Sequence, residues 1–536
     1  MRVVPSSKWR NIMSRPEFCG RRLDRRAGYS LVEVLVATTI SLIMLGAVIA
    51  AFASVMGQMT ETRAVLETID QLRSAGDLLR KDLQGLTVVP DPPLAPEDQR
   101  GYFEWTEGPG GTAAVAPGPP EYPWGLQAYN LLDEDPNKPA GNPPYEDDST
   151  VGDLDDILMF TTRREGAPFT GRATDPNGNR IEVTSQVAEV AWFVRGNRLY
   201  RRVLLVMPEI LRIADADGDG RLGLNEWGGP NAGNYFAAFD VAVRWEFDTQ
   251  LNQMFLVPCT LGDLTKPENR YAHQVGGYPF HPHRVAAWRR LGLPTMSESS
   301  SNLAAVNWIA GGTLPAVSLS PRNAGNANDP VNLFDAWTNP YPFAELDPLT
   351  GQHTAMQGVR VEEDLVLTNV LSFDVKGWDP QAPVFYRNGR LVKPGDPGYR
   401  AAWTAWDAAG RPAAQVAARG AYVNLNYAGA PSGAPGQYDL AGPPLAQSGL
   451  SNVFVYDTFS THYEKDGIDQ FGDGRIDWGT DDFDNDGNGL VDDWAEWETR
   501  PPYPVPLRGI QITLRVFEPD SRQVRQVTIT QDLLPK

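Results

Sequence analysis

The sequence predicts an α+β protein: a long N-terminal membrane-spanning helix packed on an antiparallel β-sheet head, with large loop-rich insertions that carry calcium loops. Three observations point there. From Ser30 to Gly57 the chain is apolar, and Glu33 is its one ionisable residue. No proline occurs from Tyr29 to Val89, so a single helix can run through a membrane and into a head. Beyond it, runs of alternating apolar and polar residues recur between stretches rich in Gly and Pro.

The helix comes first. The apolar stretch is 28 residues long, and a span needs roughly 20 at about 1.5 Å rise each. A lone acid in such a helix costs roughly 2.5–3.5 kcal/mol on insertion scales, so Glu33 needs a partner. Residues 1–28 hold eight Lys/Arg against two acids, which keeps the N-terminus cytoplasmic by the positive-inside rule and sends the head to the periplasm. A secretory signal would show a shorter apolar region followed by a small-residue cleavage site; here the glycine site, Gly28, precedes the apolar run. After the span, Val65, Leu66, Ile69, Leu72, Leu79, Leu83 and Leu86 recur at helical spacing with charges between them, one stripe for a core. Pro90, Pro92 and Pro93 end the helix, which gives a segment 29–89.

The head occupies 90–536. Residues 90–150 read as a surface excursion rich in Pro, Gly and acids. Strands are predicted at Asp156–Thr162, Ile181–Val194, Leu199–Val206, Phe239–Phe247, Gln253–Val257 and Leu365–Gly377, with a turn at Arg195-Gly196-Asn197-Arg198. Arg508–Val516 and Val524–Thr530 read as a closing hairpin. Insertions at about 260–360 and 380–500 carry scattered Trp and Tyr, which argues for packing within them.

Composition bounds the function. The 536-residue chain has a formal net charge of −20, and removal of the leader takes it near −26. Such acidity excludes nucleic acid as a main partner and suits divalent cations. Cys19 lies in the leader and Cys259 stands alone, so the mature chain forms no internal disulfide. Phosphate-binding glycine loops, a nucleophile elbow and a zinc-hydrolase helix are all missing, and no enzyme is expected. His273, His281 and His283 lie close in sequence without a fourth ligand and read as surface histidines.

The acids have a pattern. Asp215, Asp217 and Asp219 stand at the first, third and fifth places of a twelve-residue calcium loop. Gly220 is at the sixth, Arg221 offers its carbonyl at the seventh, Leu222 is the apolar eighth, and Glu226 is the twelfth. Pro208 and Gly228-Gly229-Pro230 leave room for at most one short flanking helix, so this is a calcium clip and not a sensor that opens. A second loop offers Asp484, Asp486, Asn488 and the Leu490 carbonyl; Ala495 takes the twelfth place, so Glu496 or Asp493 substitutes. Upstream, 469–477 is a degenerate copy. From Asp466 to Glu498 there are 12 acids against one Arg, whose mutual repulsion a cation would relieve. Calcium is the expected staple in the place of a disulfide.

The junction Arg25-Arg26-Ala27-Gly28-Tyr29-Ser30-Leu31-Val32-Glu33 resembles the prepilin family, the type IV pilins and type II secretion pseudopilins. The resemblance implies cleavage between Gly28 and Tyr29 by a prepilin peptidase and methylation of the new N-terminus. It also implies a role for Glu33 in assembly, through a neighbouring subunit's N-terminal amine. Tyr29 departs from the usual Phe or Met. The leader is long for the family, and a start at Met13 would shorten it to 16 residues. The run Ser185–Val194 followed by Leu199-Tyr200-Arg201-Arg202 resembles the J-type minor pseudopilin and PilW-type minor pilin heads. The K-type subunit, also large and calcium-binding, typically lacks the glutamate held here by Glu33. The implied protein is an inner-membrane minor subunit at the tip or initiating complex, meeting other minor and major pseudopilins or pilins. The rival readings are a pilin-anchored adhesin using Trp-rich insertions and a membrane-bound hydrolase using the acidic loops.

Overall fold

The computed structural model describes residues 30–90, 94–107, 156–223, 235–271, 363–427, 454–459, 476–491 and 506–534, short of a few single or paired positions within them. It also describes Glu226, 295–296, 344–346, 353–355, Arg360, Gly467 and Glu496. Packing divides the chain after Arg63 into two units, described in turn.

Helix α1 (Leu31–Gln84) supplies the described part of the first unit. Its apolar side chains there are exposed, Leu31 at 82% and Phe52 at 65%. This stretch is long and apolar enough to cross a membrane.

In the second unit α1 changes character. Thr68, Leu72, Ala75, Gly76, Leu79, Asp82 and Leu83 are buried, a stripe with steps of three and four residues. Leu66 lies off that stripe and is 56% exposed, against expectation. The helix also ends before the prolines, because the next residues pair with a strand. Gly85 accepts the Arg163 N–H at 2.7 Å, Leu86 bridges to Thr162, and Thr87 donates to the Thr161 carbonyl at 3.1 Å. A side chain at Gly85 would run into the Arg163 carbonyl, so only glycine allows this approach.

The larger sheet is antiparallel. Its order is β11 (Leu365–Leu367), β6 (Arg198–Leu205), β5 (Val187–Arg195), β2 (Ile157–Arg163), β1 (Phe103–Glu107) and β15 (Phe454–Asp457). Strands β5 and β6 close on Arg195 opposite Arg198, the expected two-residue hairpin. The second sheet holds β13 (Arg390–Val392), β12 (Val370–Arg387), β16 (Gly509–Glu518) and β17 (Gln523–Asp532), with β14 (Val416–Val423) also on β12. The β16–β17 hairpin keeps unbroken register from Gly509 opposite Asp532 to Glu518 opposite Gln523. Hairpins β3 (Phe169–Thr174) with β4 (Arg180–Ser185), β7 (Val243–Asp248) with β8 (Gln253–Pro258), and β9 (Ala344–Leu346) with β10 (His353–Ala355) complete the strands among the described residues. Helix α1 packs on β17 through Gly76, where a Cβ would lie 3.5 Å from Val527 and 3.6 Å from Ile529.

Several sequence expectations are corrected. The run Ile181–Val194 is two strands of different sheets, broken where Val187 donates to Ser185 Oγ at 3.1 Å. Strand β7 starts only at Val243; Phe239 follows the one-turn helix Tyr235–Ala238, and the Asp240 N–H donates to the Arg172 carbonyl. The single strand Leu365–Gly377 is also two. Asn369 takes φ 55°, a left-handed conformation that Asn tolerates, and carries the chain from one sheet to the other.

Two presumed excursions contribute core. Residues 103–107 form β1 within the larger sheet, with Phe103 and Trp105 fully buried. In the 380–500 insertion, β12 continues through Pro380 and Pro383, tolerated because its ladder with β14 shifts register between Asp379 and Pro383. Around it Phe385 meets Tyr399 and Trp406 of α2 (Tyr399–Ala408), and Trp403 meets Trp406 and Tyr427 at 5.2 and 5.9 Å between ring centroids.

Buried ion pairs tie distant segments. Arg270 donates to Glu104 at 2.7 Å, to Asp457, and to the Leu264 and Thr265 carbonyls. It stacks 4.0 Å over Tyr102, and so joins β1, β15 and the chain after β8. Burial opposes the Arg270 charge, but Asp457 and Glu104 outweigh it and raise its pKa. At the end of α1, the fully buried Asp82 accepts from Arg164 at 2.9 Å and Arg201 at 2.6 Å.

Candidate processing junction and cation loops

Gly28 and Tyr29 lie outside the described residues. Glu33 does not. Its Oε2 accepts the Ser30 N–H at 2.9 Å, while Ser30 Oγ accepts the Glu33 N–H at 3.2 Å. This is a capping box: two helix-start donors satisfied reciprocally, with the acid at the positive end of the helix dipole. The Glu33 carboxylate thus has a partner within its own chain.

The first acidic loop follows a one-turn helix, Leu211–Ala214. Asp215 folds the loop over itself: its two oxygens accept the N–H groups of Gly218 at 2.6 Å and Gly220 at 2.9 Å. Both glycines have positive φ, 77° and 83°. Carboxylate oxygens of Asp215, Asp217 and Asp219 all lie within 4.8 Å of one another. Oxygens about 2.3–2.6 Å from one calcium can be no further apart than roughly 5 Å, so these three fit one ion. Glu226 reaches back, Oε1 to the Ala216 N–H at 2.5 Å and Oε2 to the Gly223 N–H at 2.7 Å.

The Arg221 side chain pairs with Asp219 of the loop at 3.6 Å and extends beyond it. It donates to Asp248 at 3.1 Å and stacks 4.3 Å over Phe255, and the Asp248 hydrogen bond raises its pKa. Leu222, fully buried, exchanges both backbone hydrogen bonds with Leu256 of β8, at 2.8 and 3.1 Å. The β7–β8 hairpin is therefore the scaffold that holds the loop. Sequence reading missed this support; Leu222 at the apolar place was its one visible sign.

The second loop repeats the arrangement. Asp484 accepts from Gly487 and Gly489, both at 2.8 Å, and Asn485 donates to Glu496, which is fully buried. Glu496 thus meets the second residue of its loop as Glu226 meets Ala216, one place later in sequence. Asp486, Asn488 and Leu490 lie outside the described residues, as do His273, His281, His283 and most of the 469–477 copy. From that copy, Asp477 accepts the Gly467 N–H at 2.9 Å. Either loop would supply calcium with oxygen ligands only, the chemistry that ion prefers.

Cys259 is buried near Asn269, and burial pushes its thiol pKa well up.

Residues 23–49 match the family of the prokaryotic N-terminal methylation motif. The match spans the basic run, Gly28, Tyr29, Glu33 and the start of α1, and together with the apolar helix it fits a prepilin-like protein. Such a motif points to a structural subunit rather than an enzyme, and implies a prepilin peptidase and other pilins as partners. No curated protein and no solved structure matches the chain.

Proposed function

We propose that the chain is a minor pseudopilin or minor pilin, cleaved after Gly28 and methylated on Tyr29. Helix α1 holds it single-pass in the inner membrane with the head in the periplasm, and it joins the tip or initiating complex of a type II secretion pseudopilus or type IV pilus. The observation that carries this reading is the motif match at 23–49 with Glu33 in the first turn of an apolar helix. The bulk of the head favours the tip, since such insertions would crowd a repeating shaft.

Glu33 gives the test. Glu33→Leu should be processed at the normal site yet fail to enter filaments, because the neighbour's amine loses its carboxylate. Incorporation of Glu33→Leu at the unchanged level would overturn the assembly role. Labelled subunits found evenly along filaments would overturn the tip position.

Calcium is proposed at Asp215, Asp217, Asp219, Glu226 and the Arg221 carbonyl. A second ion is proposed at Asp484, Asp486, Asn488, Glu496 and the Leu490 carbonyl. Binding to the folded state alone raises stability by mass action. Chelation should therefore lower the melting temperature of the full chain in detergent, and an unchanged midpoint would remove calcium from the account. Among the described residues of the insertions, Trp403 and Trp406 are core residues, 7% and 3% exposed, and give the adhesin reading no surface.

A further inference from the structure

Strand β6 carries two adjacent arginines, and successive side chains of a strand leave on opposite faces. On one face Arg201 forks onto Asp82, Nε to Oδ2 at 2.6 Å and Nη2 to Oδ1 at 2.8 Å. Arg164 adds a bond at 2.9 Å and the indole N–H of Trp192 another at 3.2 Å, so one buried carboxylate collects donors from β6, from β5 and from the residue just past β2. On the other face Arg202, 1% exposed, meets the Met296 sulfur and lies 4.9 Å from the Phe236 ring and 5.3 Å from Tyr271. Asp364 braces the pair: its carbonyl accepts the Arg201 N–H at 2.8 Å and its carboxylate the Met296 N–H at 2.7 Å.

We propose that this pair makes β6 a two-sided clamp. Arg201 seats the last turn of α1, Arg202 seats the layer of Phe236, Tyr271 and Met296, and the two seats open independently. The apolar contacts of Leu72, Ala75, Leu79 and Leu83 resist a slip of α1 along the sheet only through packing, and the Gly85 and Thr87 backbone bonds to β2 hold only the residues after the helix. A forked ion pair with fixed geometry tolerates no such slip, and registry is the best-attested use of a buried charge pair. Asp82 and Arg201 are thus positioning residues. If the pilin reading holds, traction along α1 during assembly reaches the head through them; the clamp itself does not depend on that reading.

The test is amide hydrogen exchange on the full-length chain in detergent micelles, comparing Arg201→Gln with Arg202→Met. Removing the two forked bonds leaves the buried Asp82 only Arg164 and the Trp192 indole, and predicts that Arg201→Gln lowers protection across residues 76–84 by about a hundredfold, with 235–239 unchanged within about threefold. Arg202→Met should do the reverse. Equal loosening of both segments by both variants, or unchanged protection at 76–84 in Arg201→Gln, would overturn the clamp. Should Arg201→Gln not accumulate, Arg201→Lys keeps the charge and loses the fork. It should shift the Trp192 indole N–H resonance, whereas Arg202→Met should not; the opposite pattern would equally overturn the proposal.

Discussion

The two ends of α1 each hold an acid, and they are satisfied in opposite ways. Glu33 sits in the first turn, where the unpaired backbone N–H groups and the helix dipole favour a negative charge, and a capping box with Ser30 suffices. Asp82 sits in the last turn, where the dipole and the free carbonyls repel it. It persists there because Arg164, Arg201 and Trp192 come to it from the sheet. The same contrast holds for the apolar side chains between them. From Leu31 to Met56 the apolar side chains are exposed on all sides of the helix; in the second unit, one stripe is buried. A single helix therefore passes from an exposed apolar half to a half with one buried stripe, and its acids mark both ends.

The largest expected effect lies at the end whose acid depends on remote partners. Asp82→Asn takes the one buried carboxylate from two half-buried arginines and should destabilise the head by about 3 kcal/mol in a denaturant titration of the full chain. Next, Leu79→Ala should cost about 2–4 kcal/mol in the same titration, from a fully buried position, whereas Leu45→Ala in the apolar half should leave the midpoint in place. An equal response from both leucines would erase the distinction between the halves. Smaller again, Ser30→Ala removes the cap and should loosen the first turn by about 1 kcal/mol, read as faster exchange at residues 31–36 with the head transition unmoved.

The smallest effect concerns a third acid, satisfied locally as Glu33 is. Asp175 turns the β3–β4 hairpin, accepting the Asn177 and Asn179 N–H groups at 2.9 and 2.7 Å. Hydrogen bonds from Asn179, side chain and then backbone, lower its pKa. A depressed carboxylate stabilises the fold fully above its unfolded value, about 3.9, and loses that contribution as pH falls through the folded value. The hairpin tip should therefore loosen only below about pH 4, seen in the Asn177 and Asn179 amide resonances; loosening at higher pH would contradict the sign.

Local signals were legible in the sequence and remote ones were not. The β16–β17 hairpin and the β5–β6 turn were read from alternation and spacing, and the first acidic loop from its twelve residues, because each is decided by near neighbours. Strand β12 beyond Gly377 was hidden by Pro380 and Pro383, whose tolerance comes from a register shift against a strand more than 30 residues away. Strand β1 was hidden by its Pro- and Gly-rich flanks, though Phe103 and Trp105 belong to the core. Asp82 is one of the charges between Leu79 and Leu83 in the sequence. Nothing near it in sequence announces the arginine more than a hundred residues on that makes its burial tolerable.

The junction at the start of α1 remains the central claim, and the intact mass of the protein recovered from membranes of cells that also make a prepilin peptidase tests it most directly. The account predicts a chain beginning at Tyr29 with one added methyl group, and no cleavage when Gly28 is replaced by a bulky residue. A chain retaining its basic leader, or one cut after the apolar stretch, would contradict it.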